Sequence, residues 1–219
     1  MAHRHVFLTR FAVPRLQPDS AESYRSREWL EGRLRLFRRF YVPSVSGLGA
    51  PAVLLCGSEV AGFVTREIAD LEWARVEVQD EWHGGWRGAA DEIVTRLDSD
   101  DAVHQGWLEA VERAPETARI CLTKELLRLD ASTGRLHRYR RDEPSPLAAF
   151  RGGLNPYEVD HKHLETLSGT HRIAGCYLLQ VVHGANLKNR RPKPWRIDRR
   201  VPRERLVEFG LGDDRSSGT

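Results

Sequence analysis

The segment LDSDDAV places three carboxylates, Asp98, Asp100 and Asp101, within four residues, directly after an apolar run. Like charges at this spacing repel one another, so solvent or a bound cation must offset the repulsion. A Mg²⁺ or Mn²⁺ ion needs only one or two carboxylates beside substrate phosphates and water. Such an ion could neutralise charge developing on a diphosphate leaving group. The other interpretation is a helix cap in a solvated turn, and spacing alone leaves both open.

The same segment does not fit the calcium loop of a helix-loop-helix site. Asp98, Asp100 and Glu109 match loop positions 1, 3 and 12. Positions 5 and 6 require an oxygen ligand and a glycine, but Ala102 and Val103 stand there. The residues before the aspartates also have the pattern of a strand, whereas a calcium loop follows a helix.

Strand and helix patterns alternate through the first half of the chain. Apolar or alternating runs predict strands over 6–11, 51–56, 74–80 and 93–97. Amphipathic spacing predicts a helix over 20–40, ended before Pro43. A second helix is predicted over 102–114, with Asp100 or Asp101 as its cap. This alternation predicts a parallel sheet, where ligands bind beyond the carboxyl ends of strands, and the aspartates follow such an end.

The second half of the chain has a different pattern. Two alternating runs joined by DASTG predict a β-hairpin. GCYLLQVVHG predicts a further strand, and a helix start is predicted within NPYEVDHKHLETL. We therefore expect an α/β protein whose later part adds antiparallel strands.

Composition excludes several classes of protein. The chain has 219 residues, of which 40% are hydrophobic and 30% charged, as is typical of a globular domain. No apolar run approaches the roughly 18 residues of a membrane span, the start lacks the apolar core of a secretory signal, and the three cysteines form no Cys-x-x-Cys pair. We expect a cytoplasmic protein with one core over 1–190 and a basic extension over 191–219. A net charge of +3 suits an anionic partner.

Four segments, in this order, resemble glycosyltransferases of the GT-A fold, and specifically a bacterial rhamnosyltransferase family. They are HVFLTRF, REWLEGRLRLFRRFYVPSV, VTRLDSDDAV and YLLQVVHGANLKNR, and the resemblance covers residues 6–190. It implies a GT-A-like (Rossmann-like) α/β fold, with a mixed, mainly parallel central sheet flanked by helices. The implied activity is transfer of a sugar from a nucleoside-diphosphate sugar, with dTDP-rhamnose as one candidate donor, and Mn²⁺ or Mg²⁺ as cofactor.

The resemblance also implies roles for particular residues. The metal ligands would be Asp98, Asp100 and His183. Contacts to the nucleotide sugar would come from Thr9, Arg10, Phe11, Arg33, Arg96, Asp98, Asn186 and Lys188. A strand-end arginine paired to a carboxylate is the structural alternative for Arg96. The chain departs from the family at Cys56, where relatives often carry an acidic residue that reads the nucleobase, so the base stays open.

An inverting transferase needs a carboxylate that deprotonates the acceptor hydroxyl. Glu158 and Asp160 are the candidates, although Asp160 also has the position of a helix N-cap, and a retaining mechanism stays open. The acceptor would be a glycan precursor or a hydroxylated base in DNA. A zinc site built from His161, His163 and His183 is not supported, because the spacing matches no familiar ligand pattern.

Residues 186–205 contain nine Lys or Arg, with Trp195 among them. Basic residues with an aromatic ring can bind a nucleic-acid backbone and stack on a base. A solvated tail is the more common structure for such a composition, and a lid over the donor phosphates is a further alternative. The alternative function is therefore a non-catalytic nucleic-acid-binding protein, in which the aspartates serve only as a cap.

Overall fold

The computed structural model describes residues 3–14, 26–140, 143–183 and 197–212. The strands within these residues are β1 (Arg4–Ala12), β2 (Ala52–Cys56), β3 (Ala74–Val78), β4 (Glu92–Arg96), β5 (Ala102–Val103), β6 (Ile120–Leu122), β7 (Glu125–Asp130), β8 (Arg135–Arg140), β9 (Ala148–Arg151), β10 (Thr170–Arg172), β11 (Cys176–Val182) and β12 (Ile197–Arg200). The α-helices are α1 (Arg27–Leu36), α2 (Val42–Ser46), α3 (Ser58–Glu67) and α4 (Trp107–Glu112). A π-helical turn (Phe37–Tyr41) and two 3₁₀ helices (His161–Thr166 and Arg203–Phe209) complete the described elements.

The central sheet has seven strands in the order β10-β6-β9-β4-β1-β2-β3. Strands β3, β2, β1 and β4 are parallel, and β9 runs antiparallel to both of its neighbours. The predicted α/β class with a mixed, mainly parallel sheet is thus confirmed. The chain runs outward from β1 to β2 and β3 and then crosses to β4 on the other side of β1, so the strand order reverses there. In open Rossmann-like sheets, ligands bind in the crevice outside the carboxyl ends of strands at such a reversal.

The two faces of the central sheet are covered differently. Helices α1, α3 and α4 cover one face, over side chains that include Phe7, Leu54, Ile93 and Trp107. Loops cover the other face, where the apolar side chains include Val6, Leu8, Val94 and Tyr157, with Trp82 and Trp86 packed against them. Because side chains alternate along a strand, Thr9 points to the helix face, and Arg10 points to the loop face. The sheet therefore separates neighbouring residues of the predicted site.

The predicted end of the first helix before Pro43 is wrong. The π-helical turn and α2 carry the helix past the proline to Ser46. The Val42 N–H donates to the Phe37 carbonyl, and Pro43 lies in the first turn of α2, where a missing N–H costs little. Residues 15–25, which include the predicted start of this helix, lie outside the described residues.

The predicted helix over 102–114 is only partly correct. Ala102 and Val103 form β5, which pairs antiparallel with Leu178 and Leu179 of β11. The helix begins at Trp107, with Gly106 as its N-cap. Local periodicity indicated one continuous helix, but a long-range strand pairing takes its first residues.

The second sheet has the order β12-β8-β7-β11-β5. It confirms the predicted hairpin, as β7 and β8 pair antiparallel around residues 131–134. It also confirms the predicted strand at β11. Strand β12 pairs with β8, and Phe209 of the last 3₁₀ helix is buried with Leu179, so part of the predicted extension packs on this sheet. The division at residue 190 stays a prediction. None of the helices in the described part of the chain has the length and apolar character needed to cross a membrane.

Candidate functional site

The candidate site lies where β4 ends, next to β1. After Arg96 the chain makes a tight turn in which the Asp101 N–H donates to the Asp98 carbonyl at 3.1 Å. The Leu97 N–H donates to the Leu8 carbonyl at 3.2 Å, which holds the start of this turn against β1. The acidic segment therefore stands at the carboxyl end of the parallel strands, as the sequence predicted.

Asp100 is the centre of a buried ionic cluster. Its Oδ2 atom lies 3.0 Å from Arg33 Nη1 and 2.9 Å from His183 Nε2. The three side chains come from α1, from the turn after β4 and from the residue after β11. Burial alone would raise the pKa of Asp100, but the Arg33 charge and the His183 hydrogen bond outweigh burial and lower it. The sequence predicted that Asp100 and His183 meet, and the structure places them in contact.

This contact fixes the role of the His183 ring nitrogen. An ionised carboxylate can only accept hydrogen bonds, so Nε2 must carry the proton that lies between it and Asp100. A nitrogen that carries a proton offers no lone pair to a metal ion. His183 therefore orients Asp100 through Nε2, and this hydrogen bond is compatible with metal binding through the other ring nitrogen.

Asp101 does not cap a helix, contrary to the sequence prediction. It is 2% exposed, and its Oδ1 atom accepts a hydrogen bond from the Val181 N–H of β11 at 2.9 Å. Burial first, and then the charges of Asp100 and Asp98, raise the pKa of this carboxyl well above its ordinary value. Asp101 thus joins the acidic turn to the strand that leads to His183.

Asp98 differs from the other two carboxylates of the segment in its surroundings. It is half-buried, and its side chain forms no hydrogen bond or ion pair within the described residues. Its charge acts on Arg96 and on Tyr157, which places it toward the loop face of the sheet. Asp98 and Asp100 therefore have different surroundings although only Ser99 separates them in sequence.

Arg96 is buried at the end of β4 and binds two loops. Its Nε atom donates to the Pro146 carbonyl at 3.1 Å, and its Nη1 atom donates to the Pro156 carbonyl at 2.8 Å. Burial lowers the pKa of the guanidinium, and the charges of Asp98 and Asp160 oppose that effect. Within the described residues it forms no ion pair, so the alternative of a simple arginine–carboxylate pair is not what the structure shows.

Arg10 lies between two aromatic rings. Its guanidinium carbon is 3.6 Å from the Trp82 ring centroid and 4.1 Å from that of Tyr157, which are cation–π distances. The Tyr157 hydroxyl accepts from the Arg10 N–H and donates to the Leu8 carbonyl, both at 3.2 Å. Burial raises the pKa of Tyr157 to about 12, so the phenol stays neutral. Arg10 is thereby held on the loop face, on the same side as Arg96.

Thr9 and Phe11 lie in the core on the helix face. Thr9 Oγ1 is 2.9 Å from the Leu97 carbonyl oxygen and 3.0 Å from the Tyr41 hydroxyl. Phe11 packs edge-to-face on Phe37, with ring centroids 5.5 Å apart. Both side chains thus contact other core residues. Their position does not support the predicted contact with a nucleotide sugar, which stays a prediction.

Glu158 and Asp160 lie in the loop that Arg96 holds. Glu158 is exposed and lies 3.6 Å from Arg87. Asp160 Oδ1 lies 3.0 Å from His161 Nδ1. Burial would raise the pKa of Asp160, but His161 and Lys162 lower it below its ordinary value. The 3₁₀ helix starts directly after Asp160, yet its side chain makes no cap hydrogen bond.

The remaining predicted contacts, Asn186 and Lys188, lie outside the described residues, as does most of the basic segment. Sequence reasoning did not find Trp82 or Tyr157 as part of the site. The available signal for Trp82 was a loop rich in tryptophan and glycine after the third parallel strand, DEWHGGWRG. No comparable local signal marks Tyr157.

The donor groups fit a divalent cation only in part. In the described part of the chain, no three His, Cys, Asp or Glu side chains are grouped so that they could hold a metal ion. Asp98 fits the carboxylate that Mg²⁺ or Mn²⁺ takes together with a diphosphate. Asp100 and His183 hydrogen-bond each other, and a histidine that binds a metal through one ring nitrogen commonly donates its other N–H to a carboxylate. The predicted ligand set therefore stays a prediction.

Comparison with known proteins gives fold-level similarity at low identity. No family model and no curated protein matches the chain. Among solved structures, the inositol-1-phosphate CTP transferase from T. maritima has a TM-score of 0.48 and 10% identity, covering 86% of this chain and 93% of that one. The S. aureus TarS fragment 1-349 in complex with UDP-GlcNAc has a TM-score of 0.44 and 11% identity, covering 84% of this chain and 60% of that one. A Mycobacterium tuberculosis protein in complex with manganese has a TM-score of 0.40 and 15% identity, covering 82% of this chain and 92% of that one. Such low TM-scores assign neither a family nor an activity.

Proposed function

We propose that this protein is a transferase that uses a nucleoside-diphosphate sugar and belongs to the GT-A type of glycosyltransferase. The observation that carries the proposal is the arrangement at the end of β4. Asp98 stands there with no partner among the residues that the structure describes, beside a buried cluster in which Arg33 and His183 converge on Asp100. That position is where Rossmann-like sheets bind nucleotides.

Asp98 is the proposed contact to the donor diphosphate. A Mg²⁺ or Mn²⁺ ion bound between Asp98 and the diphosphate would neutralise charge on the leaving group. Asp100 and His183 are proposed as further ligands, with the hydrogen bond between them orienting both side chains. Arg33, at 3.0 Å from Asp100, would then be free to approach a phosphate oxygen, which suits a guanidinium. The donor we expect first is dTDP-rhamnose, because the resemblance of the four sequence segments suggests it.

Asp160 is the proposed base, and Glu158 is the second candidate. In an inverting reaction the acceptor oxygen bonds to the anomeric carbon, the bond to the diphosphate breaks with its electron pair, and the acceptor proton moves to the carboxylate. Asp160 is ionised at neutral pH and can receive that proton, although its lowered pKa makes it a weaker base than an ordinary carboxylate. The acceptor would be a hydroxyl of a glycan precursor or of a modified DNA base.

The test is ligand-induced stabilisation with a matched pair of variants. Purified protein is melted with Mn²⁺ and a panel of nucleoside diphosphates and their sugars, with Asp98→Asn as the site variant. The control is Asp91→Asn, because Asp91 is exposed at the opposite end of β4. A ligand at one hundred times its Kd adds about 2.7 kcal/mol, which for a chain of this length corresponds to roughly 5–11 °C in Tm.

We expect wild type and Asp91→Asn to show that shift and Asp98→Asn to lose most of it. Equal shifts in both variants would show that Asp98 takes no part in donor binding. The alternative function predicts a different result, namely tight, salt-sensitive DNA binding with no effect of any nucleotide. That outcome would remove the transferase proposal.

A further inference from the structure

Arg96 has a donor group that the protein itself does not use. Its Nε and Nη1 atoms bind the carbonyls of Pro146 and Pro156. Its Nη2 atom is buried and has no hydrogen-bond partner within the described residues, although the whole side chain is only 4% exposed. Native proteins satisfy the great majority of buried polar groups, so a charged donor left unpaired at a strand end indicates a missing acceptor. The Ser99 hydroxyl, three residues further on, is also buried without a partner.

The surroundings of Arg96 locate that acceptor. The charges of Asp98 and Asp160 both act on the guanidinium. Asp98, the proposed donor contact, lies two residues after Arg96, and Asp160, the proposed base, lies four residues after Pro156, whose carbonyl Arg96 binds. Arg96 is therefore connected to both ends of the proposed reaction. The bond to the Pro156 carbonyl holds the loop that carries Asp160 against the end of β4.

Charge and geometry indicate which kind of oxygen atom would accept a hydrogen bond from Arg96 Nη2. Phosphate and carboxylate groups are best bound by two parallel N–H donors of one guanidinium, but here two of the three nitrogens already bind carbonyls. Carboxylates on both sides would also repel an anion placed between them. A neutral hydroxyl needs one donor and is not repelled.

We propose that Arg96 binds the transferred sugar, by donating from Nη2 to one of its hydroxyl oxygens, and that it does not bind the diphosphate. This inference rests on the proposed function, because it assumes that the sugar lies between Asp98 and Asp160. It makes Arg96 the residue that distinguishes a nucleotide sugar from the bare nucleotide.

The test compares the binding of dTDP with that of dTDP-rhamnose, and of UDP with UDP-glucose, by calorimetry in the presence of Mn²⁺. The site variant is Arg96→Lys. The control variant is Arg151→Lys, because Arg151 also donates to backbone carbonyls. Arg151 lies in β9 and pairs with Ile93, at the opposite end of β4 from Arg96. Urea midpoints of both variants establish that they fold.

We expect the wild type to bind one nucleotide sugar more tightly than its nucleoside diphosphate. Arg96→Lys should lower the affinity for the nucleotide sugar by about tenfold or more, as expected for loss of a hydrogen bond from a charged donor. The affinity for the nucleoside diphosphate should stay within about twofold of the wild-type value. Arg151→Lys should change neither. Equal losses for both ligands in Arg96→Lys would place Arg96 at the diphosphate and overturn the inference, as would no change for either.

A second measurement uses only wild-type protein, so that it does not depend on the folding of a variant. Donor analogues that each lack one sugar hydroxyl are titrated in turn, and one of them should lose about tenfold in affinity. Undiminished binding of every analogue would overturn the inference while the transferase proposal stands. Failure of all nucleotides to bind the wild type would instead remove the proposed function and the inference together.

Discussion

Replacement of Arg33 by methionine should destabilise the protein through the Asp100 carboxylate. Methionine keeps an unbranched apolar side chain in α1 but removes the cation 3.0 Å from Asp100 Oδ2. The carboxylate is 8% exposed and the arginine 20% exposed, so the pair is largely shielded from water. His183 still donates to the same oxygen at 2.9 Å. In the variant, the buried Asp100 carboxylate therefore keeps the His183 hydrogen bond but loses the Arg33 cation.

The size of the effect follows from those contacts. Removing one partner of a buried pair costs about 3–5 kcal/mol. Because Arg33 is partly exposed and the His183 hydrogen bond remains, we expect a loss of about 2–3 kcal/mol in the free energy of unfolding. For a chain of this length that corresponds to a fall of roughly 4–12 °C in Tm.

The pH dependence identifies the carboxylate as the cause. The pKa of Asp100 is lowered in the folded state, so the ionised carboxylate adds to the free energy of unfolding of the wild type. This contribution is complete above the ordinary carboxyl pKa and is lost as the pH falls through the lowered pKa. Without Arg33 the carboxyl takes up a proton more readily. The difference between wild type and Arg33→Met should therefore narrow as the pH falls from neutral.

Urea unfolding followed by circular dichroism, repeated over a series of pH values, measures this difference. The control is Arg27→Met in the same helix, where the arginine pairs with Glu31 at the surface and where we expect stability to match wild type. A variant at position 33 as stable as wild type at neutral pH would refute the reasoning. A loss that does not depend on pH would show that packing, and not the charge of Asp100, is responsible.

Three further changes test other parts of the structure. Gly210→Ala should lower the free energy of unfolding by about 2 kcal/mol, because φ is +70° there and a Cβ would lie 2.7 Å from the Pro43 carbonyl oxygen. The control is Gly212→Ala, where a Cβ would meet open space. Equal Tm values for the two variants would contradict the prediction. Because the pKa of Asp101 is raised in the folded state, the folded protein holds this proton to a higher pH than the unfolded chain does, and stability falls as the pH rises from the unfolded pKa toward the folded one. The difference in Tm between Asp101→Asn and wild type should therefore shift in favour of the variant as the pH rises. Parallel plots of Tm against pH for the two proteins would contradict this prediction. Burial raises the pKa of the Cys56 thiol to about 12; iodoacetamide should label it, by mass spectrometry, only after unfolding, and labelling of the folded protein would show that β2 is accessible.

Sequence reasoning succeeded where a local pattern has one structural solution. AVLLC is apolar at every position and became β2, which is buried throughout. The DASTG turn between alternating runs became the β7–β8 hairpin. It failed where distant pairing overrides local periodicity, as at Ala102 and Val103, whose helical spacing yields to pairing with β11.

The sequence by itself determined that three carboxylates follow a buried strand of an α/β sheet, because strand length, apolar content and turn residues are local properties. It did not determine which of these carboxylates would be free. Tertiary structure brings Arg33 and His183 to Asp100, turns Asp101 onto β11 and gives Asp98 no partner among the described residues. The physical reason is that the charge state of a carboxylate depends on burial and on partners distant in sequence, and those are fixed only when α1, β4 and β11 pack together.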